Sequence, residues 1–220
     1  MPRTARLLAE DLVFHIMTRG NNRHTIFHDY QDYKQYLFLL GLYKEDHGFL
    51  LFHYCLMPNH VHIILKNTKD TNLPKFMKQI NLSYMKYYKK KYTYDGYFWQ
   101  GRYKSLIISS DEYLLMCGKY IELNPVRAKL VDDPSKYEYS SYSFYAYGTN
   151  NRLLDQNPIY EDMGKTPKER QAYYRNFVIE PNTINLKHKF IGPIHFIKAL
   201  EERFCVLNDN RRRGRPKIAE

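Results

Sequence analysis

His60 and His62 stand two residues apart in the run FLLFHYCLMPNHVHIILK, residues 49–66. If that run is extended, both imidazoles lie on one face, because side chains on a strand alternate. Two neighbouring imidazoles are half of a metal site. They suit Zn, Mn, Ni, Cu or Fe and select none of them. Two solvated histidines on a half-buried strand have the same spacing, so further ligands must decide. A second pair is Tyr120 and Asn124, four residues apart and therefore one above the other on a helix. A phenol is a nucleophile and an amide oxygen is a metal ligand, so one helix face could bring both to a shared site. In a chain with 22 tyrosines, a packed aromatic is the competing use of Tyr120. Pro125 disfavours helical geometry in the residue before it, which puts Asn124 at a kink or a helix end.

The elements that must carry these residues follow from the hydrophobic period. Residues 49–57 and 61–65 are aromatic and β-branched enough for central strands, and Pro58-Asn59 supplies the turn between them. Residues 12–17, LVFHIM, read as a first strand that ends in the polar cluster at 18–23. There Arg19 and Arg23 bracket Asn21 and Asn22, as a phosphate-holding loop or simply a solvated one. Tyr33, Tyr36, Leu37, Leu40 and Tyr43 trace one face of a helix, with Asp29 as its N-cap and Gly48 closing it in the left-handed conformation. A second helix begins near Pro74 and runs to about residue 92, with Phe76, Ile80, Tyr84 and Tyr87 inward. Its other side carries Lys75, Lys78, Lys86, Lys89, Lys90 and Lys91, which read as a solvated face or as a field for phosphates. Residues 106–108 complete a fourth strand. Ser109 and Glu112 then suit a capping box for the helix that bears Tyr120, with Tyr113, Leu114, Cys117 and Ile121 inward. Helical patterns recur from Thr166 and over 194–205.

Composition narrows the partners. Thirty-four Lys and Arg against 23 Asp and Glu give a formal charge of +11, which favours a polyanion. With 22 Tyr and 12 Phe interleaved among the cations, single-stranded nucleic acid fits, since bases stack on rings while phosphates meet cations. Trp99, among aromatic and basic neighbours at 97–105, suits base stacking or a lid on the core edge. Cys55, Cys117 and Cys205 are widely spaced in apolar segments, so buried reduced thiols are expected. There is no apolar stretch of membrane-spanning length and no secretory h-region, so the expectation is a cytoplasmic protein.

Four motifs in order, RGNNR (19–23), MPNHVHIIL (57–65), FWQGRYKS (98–105) and YIELNPVRAKLV (120–131), resemble the REP-associated tyrosine transposases, single-tyrosine members of the HUH nuclease superfamily. The resemblance covers residues 10–145. It implies an α+β fold, a ferredoxin-like antiparallel β-sheet with helices packed on it in residues 1–145. A mostly helical C-terminal extension with a basic tail would occupy 146–220. Residue by residue, it makes Tyr120 the nucleophile and His60, His62 and Asn124 ligands of a divalent metal ion, Mg²⁺ or Mn²⁺. The implied reaction is cleavage and rejoining of single-stranded DNA near palindromic hairpins through a 5′-phosphotyrosine. A free phenol ionises near pH 10, and the sequence names no general base to help it. Arg19, Arg23, Lys86, Lys89, Lys90, Trp99, Arg102 and Lys104 are the candidate DNA contacts. The tail arginines Arg211, Arg212, Arg213 and Arg215 join them as a minor-groove arm, unless the tail only solubilises. A monomer is expected, with a dimer as the alternative. Two other classes compete: a hairpin-binding protein without catalysis, and a metallohydrolase of small substrates.

Overall fold

The computed structural model describes residues 11–69, 71–181, 184, 186 and 188–208. Strand β1 (Val13–Arg19) leads to helix α1 (Tyr30–His47), the hairpin β2 (Leu50–Met57) and β3 (His60–Lys66), helix α2 (Leu73–Tyr92) and strand β4 (Lys104–Ile108). This is the expected ferredoxin-like βαββαβ order. The sheet runs β2-β3-β1-β4-β5, and its first four strands are antiparallel. Strand β5 (Phe190–Ile191) pairs with β4 in parallel, so the sheet is mixed rather than wholly antiparallel. The cause is topological: β5 arrives from the C-terminal segment after a long crossover, which a parallel pair requires.

Alternation along the strands sorts two cores. Phe14, Ile16, Leu56, Val61, Ile63, Leu65 and Ile107 face α1 and α2, with Tyr36, Phe76, Ile80 and Tyr84. Val13, Cys55, Met57, Ile64 and Ile108 face helix α3 (Glu112–Glu122), through its Leu114, Cys117 and Ile121. The short helix α4 (Asn124–Arg127) follows at once, and Asn124 does sit where α3 breaks. Beyond it, α5 (Tyr142–Tyr147), α6 (Pro158–Glu161), α7 (Pro167–Ile179) and α8 (Ile194–Phe204) complete the order.

The segment 137–155 covers the free edge of β2: Leu56 N donates to Tyr139 O at 2.9 Å, Ser141 N to Tyr54 O at 3.0 Å and Asp155 N to Leu51 O at 2.8 Å. An edge left bare would template pairing with another chain. The C-terminal region is thus laid along both sides of the sheet, with β5 on the other.

The caps of α1 are as expected. Asp29 accepts from the amides of Gln31 and Asp32 within a capping box, and Gly48 closes the helix at φ 68°. At α3 the cap differs: Asp111 accepts from Tyr113 N, while Ser109 donates to Asp111 Oδ2 at 2.5 Å. Asp111 has the extended backbone directly before the helix, whereas Ser109 lies just past the end of β4. Cys55 and Cys117 are buried, but Cys205 is exposed, because it caps α8 in the left-handed conformation at φ 51° and turns away from the core. Among the described residues no helix is long and apolar enough to cross a membrane.

Buried Asp32 clasps α1 to α2. Its carboxylate accepts from Tyr87 Oη at 2.9 Å, Tyr92 Oη at 2.7 Å, Lys91 Nζ at 2.7 Å and His28 N at 2.7 Å. Removing one partner of a buried pair leaves the other charge and its donors unsatisfied. Asp32→Ala is therefore expected to lower stability by about 3 kcal/mol, and a urea midpoint within a few tenths molar of wild type would contradict the clasp.

Candidate active site

Register brings the histidines together. His62 stands between Cys55 and Met17, and His60 between Met57 and Arg19, all on the α3 face of the sheet. Their ring centroids are 4.8 Å apart, edge to face. Each ring is held at Nδ1. His60 Nδ1 lies 2.5 Å from Asn59 Oδ1, and Asn59 Nδ2 donates to the carbonyl of Arg23 at 3.2 Å, which fixes that amide with its oxygen toward the imidazole. His60 must therefore donate from Nδ1 and keep its lone pair on Nε2.

His62 Nδ1 lies 2.8 Å from Nε2 of His15, with the two rings stacked at 5.0 Å. Where His62 is the donor of this bond, its Nε2 lone pair is free as well, and where His15 donates, Nε2 of His62 carries the proton. Among the described residues neither Nε2 is hydrogen-bonded, and neither is sealed from solvent. Burial pushes His15 down to about 4. Burial, then the charge of Arg19, does the same for His60, and burial with His15, His60 and Arg19 holds His62 well below the usual imidazole range. The rings are neutral at physiological pH, the form that ligates a metal.

His15 was not among the expected site residues. Its signal was an ionisable side chain inside the apolar run LVFHIM, with no spacing to link it to the hairpin.

This donor set fits a metal ion in part. Two imidazoles with Nδ1 committed behind them and Nε2 open match the way proteins orient histidine ligands. His15 spends its Nε2 on His62, so it supports a ligand rather than adding one. Among the described residues no three His, Cys, Asp or Glu side chains form a metal cluster. Asn124 is uncommitted: its Oδ1 has one long contact, 3.5 Å from Arg127, and its Nδ2 is buried without a partner.

Tyr120 is half-buried on α3 against the cluster that includes Cys55 and Met57. Arg127 binds it twice, with the guanidinium 4.4 Å over the ring and a 2.8 Å hydrogen bond to the Tyr120 carbonyl. Neither Tyr120 nor Asn124 hydrogen-bonds to His60 or His62 among the described residues. A cleft of about 530 Å³ is lined by Arg19, Arg23, Asn59 and His60 together with Ala128 and Leu130, just past α4, while His62, Tyr120 and Asn124 are not among its lining residues. Arg127, inside a motif but without an expected role, is the second residue that sequence reasoning missed.

The candidate DNA contacts divide. Arg19 and Arg23 line the cleft. Lys104 is exposed, in the cross-strand row of Met17 and His62, and Arg102 is exposed beside it. Lys86 and Lys90 are exposed and Lys89 half-buried on α2, in the layer opposite the tyrosine helix. That half of α2 nevertheless reaches the hairpin end of the sheet: Tyr84 Oη donates to Ile26 O at 2.6 Å, and Ile26 N to Pro58 O at 2.7 Å. Lys91 is occupied by Asp29 and Asp32 at 2.8 and 2.7 Å. Trp99 is half-buried, donates Nε1–H to Asn81 O at 3.0 Å and packs edge-on against Phe98, so it serves the core edge. Its neighbour Tyr97 is 85 % exposed and is the ring open to a base. Arg211, Arg212, Arg213 and Arg215 lie outside the described residues.

The depressed imidazoles make stability depend on pH. A base whose folded pKa lies below its unfolded value binds fewer protons when folded, so stability falls as pH drops from about 6.5 toward 4. For His15, shifted from 6.5 to about 4, the loss is roughly 3 kcal/mol. His15→Gln is expected to flatten the urea-midpoint profile over that window. Parallel profiles for variant and wild type would show that His15 carries no such penalty.

Residues 9–124 match the family described as IS200-like transposase. A comparison with curated proteins finds no match. Among solved structures, a REP-associated tyrosine transposase bound to a REP hairpin aligns with a TM-score of 0.57 at 18% identity, over 72% of this chain and 93% of that one. A structure from Deinococcus radiodurans R1, assigned as a transposase, aligns at 18% identity over 59% of this chain and 92% of that one, with a TM-score of 0.39, too low to argue from. At 18% identity the first likeness establishes the α+β fold, and the family match spans more than half of the 220 residues. The chain belongs to the IS200-like transposase family.

Proposed function

We propose that this protein cleaves and rejoins single-stranded DNA beside palindromic hairpins, using Tyr120 as nucleophile. The observation that carries the reading is the pair His60 and His62, each backed at Nδ1 with no partner at Nε2 among the described residues, with His60 lining a cleft that also holds Arg19 and Arg23. The solved relative bound to a REP hairpin supports a DNA hairpin as the partner.

His60 and His62, with Asn124 as third ligand, would hold a divalent ion, which when bound supplies charge neutralisation at the attacked phosphate. Imidazole ligands suit Mn²⁺ better than the oxygen-seeking Mg²⁺. Tyr120 Oη attacks phosphorus as its proton passes to water. The bond from phosphorus to the 3′-oxygen breaks, and that oxygen leaves with a proton as a free 3′-OH. The 5′-phosphate stays on Tyr120 as an ester that retains the reactivity of the phosphodiester, so an incoming 3′-OH reseals it without ATP. Arg127 lies over the phenol ring, where positive charge stabilises the anion that develops during attack. Arg19 and Arg23 grip phosphate, and Tyr97 offers a face to an unpaired base. A metallohydrolase of small substrates would have no use for Tyr120, and a binding module would have none for the open Nε2 atoms.

Incubation with end-labelled single-stranded hairpin DNA and Mn²⁺ is expected to give a denaturation-resistant adduct carrying the downstream fragment, with the upstream fragment released. Tyr120→Phe keeps the ring, so it should retain DNA binding and lose the adduct. His60→Ala, His62→Ala or chelation should suppress the adduct by about a hundredfold or more while binding persists. The opposite label pattern would reverse the polarity, and an adduct on Tyr120→Phe would name another tyrosine.

The basic tail is proposed to add phosphate contacts. Truncation after Asn210 is expected to flatten the dependence of log K on log salt, by about 0.7 per lost contact on single strands. An unchanged slope would leave the tail a solubilising terminus.

A further inference from the structure

A buried polar network lies beneath the tyrosine helix, two residues from Tyr120. Glu122, at the C-terminal end of α3, has no exposed surface. Its Oε1 lies 2.9 Å from Nδ1 of equally buried His53 on β2 and accepts from Ser141 Oγ at 2.5 Å, and its Oε2 accepts from Tyr174 Oη at 2.7 Å. Lys119, one residue before Tyr120, is also buried, and its ammonium donates to the carbonyl of Phe177. Tyr174 and Phe177 both belong to α7. The residues on either side of the expected nucleophile are therefore tied to the C-terminal segment, outside the ferredoxin-like unit.

Packing alone does not call for this arrangement. A carboxylate at a helix C-terminus opposes the helix dipole, and a buried ion pair is commonly no more stabilising than apolar residues of the same size. What it adds is direction. Leu114, Cys117 and Ile121 hold α3 by contacts that tolerate sliding and rotation, and an 11-residue helix has little stability of its own. The bonds to Glu122 fix its axial and rotational setting.

Gly118 sets its height. A Cβ there would lie 2.4 Å from His53 Cε1 and 2.6 Å from both ring nitrogens. The imidazole cannot retreat, because Tyr145 stacks on it at 4.4 Å.

We infer that Glu122 is a positioning residue for Tyr120, and that Tyr174 of α7 completes the latch, so that the C-terminal segment is a working part of the site rather than an appendage. The inference rests on the reading of Tyr120 as nucleophile for its catalytic consequence, but not for its structural one.

Two readouts separate them. In Tyr174→Phe, amide hydrogen exchange in α3 should accelerate while that of β1 and β3 is unchanged. At saturating DNA the single-turnover rate of adduct formation should fall roughly tenfold to a hundredfold, as a small misplacement of a reacting group gives, with DNA affinity within about twofold. Gly118→Ala should do the same by pushing the helix off His53. Glu122→Gln, which keeps the shape and an acceptor, should retain more of the rate than Glu122→Ala, and exposed Tyr173→Phe should match wild type. Unchanged α3 exchange and adduct rate in folded Tyr174→Phe would overturn the latch. So would a rate that falls only in step with DNA affinity. If the wild-type protein forms no adduct but α3 exchange still responds, the nucleophile reading fails and the latch stands.

Discussion

The antiparallel pairing of β1 with β3 is the constraint on which the site depends. Because Met17 lies opposite His62 and Arg19 opposite His60, one register gives His62 its neighbour His15 and sets a cation beside His60. A slip of one residue would turn the whole set to the other face of the sheet. That face is filled by Phe14, Ile16, Val61 and Ile63 against α1 and α2, so the misregistered sheet would bury imidazoles in an aromatic core and expose the isoleucines. The hydrophobic layer that does no chemistry is what holds the chemical layer in place.

The two layers also divide the labour. Behind the sheet, Tyr36, Tyr84, Phe76 and their neighbours make a dry aromatic core. In front, the sheet carries His15, His60 and His62 as well as His53, and α3 carries the buried Glu122 and the half-buried Tyr120. Keeping ionisable groups there costs stability, which the denser layer offsets, and functional sites are where such local conflicts are expected. Two buried side chains of α3 are tied, Glu122 to His53, Ser141 and Tyr174, and Lys119 to Phe177. The imidazole Nε2 atoms of His60 and His62 are left open.

Local signals made much of this legible in the sequence. Asp29, Gly48 and Pro74 act within a turn of the residues that they govern, so the bounds of α1 and α2 followed from sequence alone, as did the start of α7 near Thr166. The His60 and His62 pair was legible because a strand repeats every two residues. His15 was not, since its link to His62 crosses 47 residues of chain and exists only through strand pairing. Strand β5 is two residues long, too short to show a period, and its parallel partner lies far upstream. Glu122 reads as an ordinary helix-end acid until Tyr174, 52 residues later, folds over it. Lys91 looked like its neighbours on α2, and only the positions of Asp29 and Asp32 on another helix set it apart.

The same distinction explains why the Tyr120 end of the candidate site is the less determined half from sequence. A strand pair fixes both histidines by backbone hydrogen bonds at every second residue. Tyr120 instead rides on a three-turn helix whose position is set by side chains from three separate elements: His53 on β2, Ser141 before α5 and Tyr174 on α7. A site built this way has one wall set by backbone pairing and one set by side-chain contacts, with Ala128 and Leu130 lining the cleft beside His60. On the proposed function, a substrate strand would enter between them to bring phosphorus within reach of both. With Tyr120 as the proposed nucleophile, the side chains that set the helix would decide how far it has to travel, which would make the latch under α3 as much a part of the chemistry as the imidazoles.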